Sequence, residues 1–401
     1  MVIVLTACAA IPYPQQKLIA NDGASEDFFG YSVALSGDTA IIGAFKDDDQ
    51  TLGIDAGAAY VFTRSGKTWQ QQAKLTAIDG APNDTFGGNV VLSGDTIVIG
   101  AMRDDDKGEN SGSAHVYIRS ENIWNHQAKI TAADGAKDDA FGQSLALSGD
   151  TVIIGAPRDD DNGKNTGSVY VFTRIGANWQ QQAKLTADDG ASGDLFGISV
   201  ALSGDTILVG ADLHDNIAPN AGAVYVYTRS GNSWSQQAKL TAADGGETDI
   251  FGVRVALSGD TALISARRDD DDIMGVDAGS VYVFVRSGMA WTQQEKLTAP
   301  DGVADDRFGR SVALMGDTAL IGAMFRDDKG ENSGSAYLFE RNGKTWVYKA
   351  KLTAADGAAD DVFGWSVAIA PGTAIVSASR DDDNGSQSGS VYVFDIHNNV
   401  D

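Results

Sequence analysis

Aspartate recurs in runs along this chain, and carboxylates crowded into one loop can serve one of two kinds of chemistry. The runs stand at Asp47 to Asp49, Asp104 to Asp106, Asp159 to Asp161, Asp269 to Asp272, Asp327-Asp328 and Asp381 to Asp383. Several carboxylate oxygens converging on one point suit a hard cation such as calcium. On that reading Asp104 with Asp106, Asp159 with Asp161, and Asp381 with Asp383 hold the metal, and calcium could also bridge neighbouring loops. Alternatively the carboxylates accept backbone N–H bonds in Asx-turns and pair with the arginines beside them: Arg103, Arg158, Arg268, Arg326 and Arg380. The spacing favours the second reading, because adjacent Asp side chains seldom all point inward and the pattern departs from an EF-like loop.

What positions these runs is a repeat. A Phe-Gly pair stands at Phe29-Gly30, Phe86-Gly87, Phe141-Gly142, Phe196-Gly197, Phe251-Gly252, Phe308-Gly309 and Phe363-Gly364, always 55 or 57 residues apart, a period that marks a repeat architecture. In the third copy FGQSLALSGD is followed by TVIIGAPRDDDNG, SVYVFTR and WQQQAKLTADDG, which predicts four strands. The second and third are apolar, β-branched runs suited to burial on both faces. The fourth mixes Trp, Gln, Lys and Leu, as an outer strand with Lys guarding its edge would. No stretch keeps a helical period. The chain is therefore all-β, a seven-bladed β-propeller with four antiparallel strands per blade. The last copy stops at SVYVFDIHNNVD, and Gln15-Gln16-Lys17-Leu18 matches its missing fourth strand. The N-terminal strand is thus expected to complete the C-terminal blade and close the ring, making residues 15–395 one domain.

The Phe-Gly start, the Ile-Gly-Ala that follows, and the full Gly155-Ala156-Pro157 of the third copy resemble the FG-GAP repeat of integrin α-subunit propellers and their bacterial relatives. The resemblance covers Gln15 to Phe394. Ser265 and Ser377 replace the second glycine in two copies, and six copies lack the proline. The family's calcium loop, which joins the first and second strands, is here only a tight turn such as Ser36-Gly37-Asp38-Thr39, so that site is not carried over. The resemblance implies a ligand-binding face on the rim that bears the Asp-rich loops.

Residues common to all copies belong to the fold. These include the Phe-Gly pairs and Asp27, Asp84, Asp139, Asp194, Asp249, Asp306 and Asp361, which read as loop anchors. The tryptophans at 69, 124, 179, 234, 291 and 346 read as outer-strand packing. Recognition is expected where the copies disagree: Tyr31, Gly88, Gln143, Ile198, Val253, Arg310 and Trp365 after each Phe-Gly, and Phe45, Met102, Pro157, Asp212, Arg267, Met324 and Ser379 opening the acidic loops. Tyr31, Arg310 and Trp365 come from consecutive blades of a closed ring. With Phe45, Met324, Arg267 and Gln143 nearby they make the expected ligand-contact set, exposed aromatics beside an arginine.

Bulk properties bound the function. With 55 acidic against 30 basic side chains and a net charge of −25, nucleic acid is not an expected partner. The histidines show no metal-ligand spacing, and no GxSxG, HExxH or phosphate-loop pattern occurs. Cys8 is the sole cysteine, and Leu5-Thr6-Ala7-Cys8 resembles a bacterial lipobox, which implies a signal segment over residues 1–8 and lipidation at Cys8. The expectation is an extracellular or lipid-anchored cell-surface binding module without enzymatic activity, taking a protein or glycan ligand and assisted by calcium if the aspartates coordinate it. A structural lipoprotein subunit of a surface assembly is the alternative, and a carbohydrate-active enzyme a third.

Overall fold

A computed structural model describes residues 13–271 and 273–396. Cys8 and the rest of the candidate signal segment lie outside these residues.

Blade three shows how the repeat folds. Its inner strand is Ser144–Ser148, the second Thr151–Ala156, the third Ser168–Ile175 and the outer Asn178–Leu185, joined in that order as an antiparallel sheet. All six residues of TVIIGA are buried, as two-sided packing of a β-branched run requires. Gly149, at φ 57°, opens the two-residue turn from inner to second strand. A bulge between Val171 and Phe172 bends the pairing to the outer strand. Seven such four-stranded sheets make up the described residues, and in the last Gln15–Leu18 pairs with Ser390–Asp395, from Gln15 opposite Phe394 to Leu18 opposite Val391. The expected closure of the ring by the N-terminal strand is present.

The core lies between blades rather than within them. Phe141 is fully buried among Val98, Val116 and Ile130 of blade two and Ile154 and Tyr170 of its own blade. Its six counterparts are equally buried. The paired glycines let the backbones meet. A Cβ on Gly155 would lie 2.3 Å from the carbonyl oxygen of Gly197 in the next blade, and one on Gly43 would lie 2.0 Å from that of Gly87. Where the sequence departs, Ser265 and Ser377 face Gly309 and Gly30 instead.

Polar bonds complete each junction. Ala140 and Phe141 donate backbone N–H bonds to Asn110 and Ser111 of the preceding blade, at 3.1 and 3.0 Å, and Phe28 and Phe29 bond Gln387 and Ser388 in the same way at the closure. On the outer strands, the indole N–H of Trp124, Trp179, Trp234 and Trp291 reaches Gln72, Gln127, Gln182 and Gln237 of the preceding blade. The tryptophans are packing residues, as expected.

Candidate functional site

The loop between second and third strands and the loop entering each blade emerge on one rim. The entry-loop aspartates Asp27, Asp84, Asp139, Asp194, Asp249, Asp306 and Asp361 each accept the backbone N–H three residues earlier, at 2.5–2.8 Å. They anchor their loops. Burial, with neighbouring carboxylates adding, pushes Asp27, Asp84, Asp139, Asp249 and Asp361 up to about 6.

The Asp-rich runs are organised around lysine. The Lys129 ammonium lies 2.7 Å from Asp104, 2.6 Å from Asp106 and 2.9 Å from Asp79. Lys184 sits 2.9 Å from Asp159, 2.5 Å from Asp161 and 2.8 Å from Asp134. Lys17, on the closing strand, joins Asp381 at 2.8 Å, Asp356 at 3.0 Å and Asp383. All six residues read from the sequence as metal ligands are thus gathered in pairs, and the cation each pair surrounds is an ammonium of the chain itself. Burial alone would lower the affinity of these lysines for their proton, but the carboxylate hydrogen bonds outweigh it and the net shift is upward. The Asx-turns are present too: Asp104, Asp159 and Asp381 each accept the N–H two residues on, at 3.0 Å. The expected arginine pairing needs correction. Among the described residues Arg326 alone of the five finds carboxylates, Asp306, Asp328 and Asp301, at 3.3–3.6 Å. The other four are exposed, whereas Arg326 stands at the chain position of the buried Asp, its carbonyl accepting from Gly334 as that of Asp159 accepts from Gly167.

Two further blades vary the theme. His214 takes the sequence position of the buried Asp in blade four, with Nδ1 2.7 Å from Asp194 and Nε2 2.6 Å from Lys239. In blade two His115 replaces the tyrosine found at this place in every other blade; burial lowers its pKa to about 4, and its Nδ1 has no partner. Asp79, Asp104 and His115 bring ligand atoms within 4.8 Å of one another, a set that could hold a metal if Lys129 gave way. Nothing in the sequence marks this group, since its members lie on three separated segments.

At the axis the inner strands surround a cavity of about 270 Å³. Tyr31, Gly88, Gln143, Ile198, Arg310 and Trp365 line it, six of the seven variable positions, whereas Val253 is buried. Phe45 packs on Tyr31 at 4.1 Å between ring centroids, and Tyr31 on Trp365 at 5.4 Å. The Trp365 indole donates to the Tyr31 carbonyl at 3.1 Å, and the Arg310 guanidinium lies 3.8 Å above the Trp365 ring. This brings together the expected triad and Phe45. Arg310 and Met324, expected at the surface, are instead buried, each 6 % exposed. Arg310 is held down by the Trp365 ring, and Met324 does not line the cavity. Arg267 is partly buried.

The repeat model named FG-GAP repeat matches at residues 14–62, 69–117, 124–172, 179–227, 234–284, 291–339 and 346–394. The chain belongs to the FG-GAP repeat family. Each FG-GAP unit begins on the outer strand of one blade and ends on the third strand of the next, so the sequence repeat is offset from the blade by one strand. That offset is why the first unit carries the strand that closes the ring. No curated protein matches the chain.

One channel residue of this FG-GAP propeller escaped the sequence reading. Arg254 lines the cavity at a position that is Ser32, Ser144, Ser199, Ser311 and Ser366 in other copies. Four of those serines donate to a glycine carbonyl of the next blade at 2.7–2.8 Å. The break from serine was the available signal.

Proposed function

We propose that this FG-GAP propeller is a non-enzymatic recognition module whose ligand, a protein or glycan, docks over the axial cavity on the loop-bearing rim. The observation that carries this is the convergence of six variable positions on one cavity, while invariant positions are spent on blade junctions. A rigid ring that changes its side chains only around one opening suits recognition by surface complementarity. The contact core is Tyr31, Trp365 and Phe45, with Gln143 on the opposite wall. Calcium has no required part, since a lysine ammonium already sits where the carboxylates of the acidic loops converge. The lipobox-like Leu5 to Cys8 supports a place outside the cell with a lipid anchor at Cys8.

The test is a screen of surface proteins and glycans against the chain from Ala9 onward, repeated with Tyr31→Ala and Trp365→Ala. Binding lost in both variants while Tm changes by no more than about 3 °C supports the reading. A ligand that binds all three equally would place recognition elsewhere.

A further inference from the structure

Almost every buried or half-buried cation of this protein has carboxylate partners. Lys74, Lys129, Lys184, Lys296 and Lys351 join the acidic loops, and Arg64, Arg119, Arg174, Arg229 and Arg286 join the turn aspartates of the opposite rim at 2.5–2.6 Å. Arg254, Arg267 and Arg310 differ. Arg254 and Arg310 line the axial cavity where blades five and six meet it, Arg267 lies behind them within reach of their charge, and among the described residues none has a carboxylate within ion-pair distance. Arg310 is 6 % exposed, and the Nε atoms of Arg310 and Arg267 are buried without a hydrogen-bond partner. Arg254 donates to the carbonyl of Val253 at 2.8 Å, which leaves the rest of its guanidinium free. The carboxylate whose charge acts on Arg254 and Arg267 is Asp212, itself buried with an unpartnered Oδ1, and the Tyr31 phenol acts on Arg254 and Arg310.

Guanidinium groups keep their charge at neutral pH, so the cluster concentrates positive charge in a chain of net charge −25. Buried charges without partners are costly, and the burial of these arginines is reflected in a lowered proton affinity, with Arg267 down to about 10. The Trp365 ring holds Arg310 flat and limits its rotamers, so its planar fork is prepared before anything binds. Such forks match the geometry of carboxylate, sulfate and phosphate oxygens.

We propose that the axial cavity is a receptor for an oxyanionic group of the ligand, a carboxylate or a sulfate, held by Arg254 and Arg310 with Arg267 adding its charge from behind, while Tyr31, backed by Phe45, contacts the body that carries it. This deepens the recognition function proposed above and rests on it. At about 270 Å³ the space admits one small group rather than a folded surface, so the anion enters as the tip of a larger ligand or as a small molecule.

The test is calorimetric titration at low salt with sodium sulfate, sodium glucuronate and neutral glucose, on the wild type, Arg254→Gln and Arg310→Gln. Saturable binding of sulfate or glucuronate, weakened at least about tenfold by either substitution and absent for glucose, supports the assignment. Sulfate alone would identify a free oxyanion as sufficient; glucuronate alone would identify a carboxylate on a sugar. Failure of both anions, or binding unaffected by the substitutions, overturns the assignment. If Arg310→Gln does not fold, Arg267→Gln serves, since that side chain is less buried. A ligand from the screen that needs Tyr31 and Trp365 but is indifferent to these arginines would sink the anion site and leave the docking face standing.

Discussion

Replacing Lys184 with Met keeps the apolar stem and removes the ammonium at the centre of Asp134, Asp159 and Asp161. The cost can be assembled from burial. The Asp159 side chain is 3 % exposed, so loss of its partner is on the scale of a broken buried pair, about 3–5 kcal/mol. Asp134 and Asp161 are 41 % and 57 % exposed and contribute on the scale of surface pairs, about 0.2–1 kcal/mol each. Tyr170, 2.8 Å from Asp159, and the Asp161 N–H remain as donors and pull the total toward the lower end, about 3–4 kcal/mol. At about 2 °C per kcal/mol for a large domain, Tm falls by about 6–8 °C. The variant also uncovers three converging carboxylates. Calcium at ten times its dissociation constant should then restore about 1.4 kcal/mol, while the wild type gains little because its lysine must first be displaced. The assay is thermal unfolding of both proteins with and without millimolar calcium. A loss below about 1 kcal/mol would refute the view that lysine compensates the buried acid. An equal calcium shift in both proteins would refute the view that it occupies the cation's place.

Acidity should stabilise the fold over a defined window. Asp139 and its four counterparts have folded-state pKa values near 6 against an ordinary 3.8, so the folded chain holds their protons more tightly, and stability falls as pH rises from about 4 to about 6. Asp134, Asp301 and Asp356, whose lysine bonds outweigh burial and lower their pKa, act oppositely and withdraw stability below about pH 4. Tm should therefore peak near pH 4, and Asp139→Asn, which keeps the acceptor for Ala136, should raise Tm at pH 7 and flatten part of the slope; an unchanged profile would count against it. Gly155→Ala would set a Cβ 2.3 Å from the Gly197 carbonyl and should cost several kcal/mol, measured by urea unfolding. Phe196→Ala should cost about 3–5 kcal/mol by opening a void between blades three and four.

The fold was legible because the chain states it seven times. Each Phe-Gly pair, each TVIIGA-like run and the stranded QQKL could be checked against copies, so strand order and closure followed from comparison within one sequence. The loop anchors followed for the same reason. The partners of the acidic runs did not, since Lys184 stands on a strand distant in sequence from Asp159 and reads as an edge guard until the blade curls it back over the loop. Arg310 announced its variability but not its burial, which depends on Trp365 arriving from the neighbouring blade. Arg254 was hidden because its position is serine in five copies and asparagine, Asn89, in a sixth, and so reads as part of the fold.

The clasp also decides how the ring answers tension. Gln15 pairs with Phe394 and Leu18 with Val391, so the two ends of the chain leave from the same end of one strand pair. A pull between them does not shear the pairing as a block. It peels the strands apart one rung at a time, starting at the backbone bond from Asp395 to Pro14, and the four register pairs from Gln15 to Leu18 follow. Every other blade lies beyond that short zip, which makes the clasp the place where the propeller would yield first.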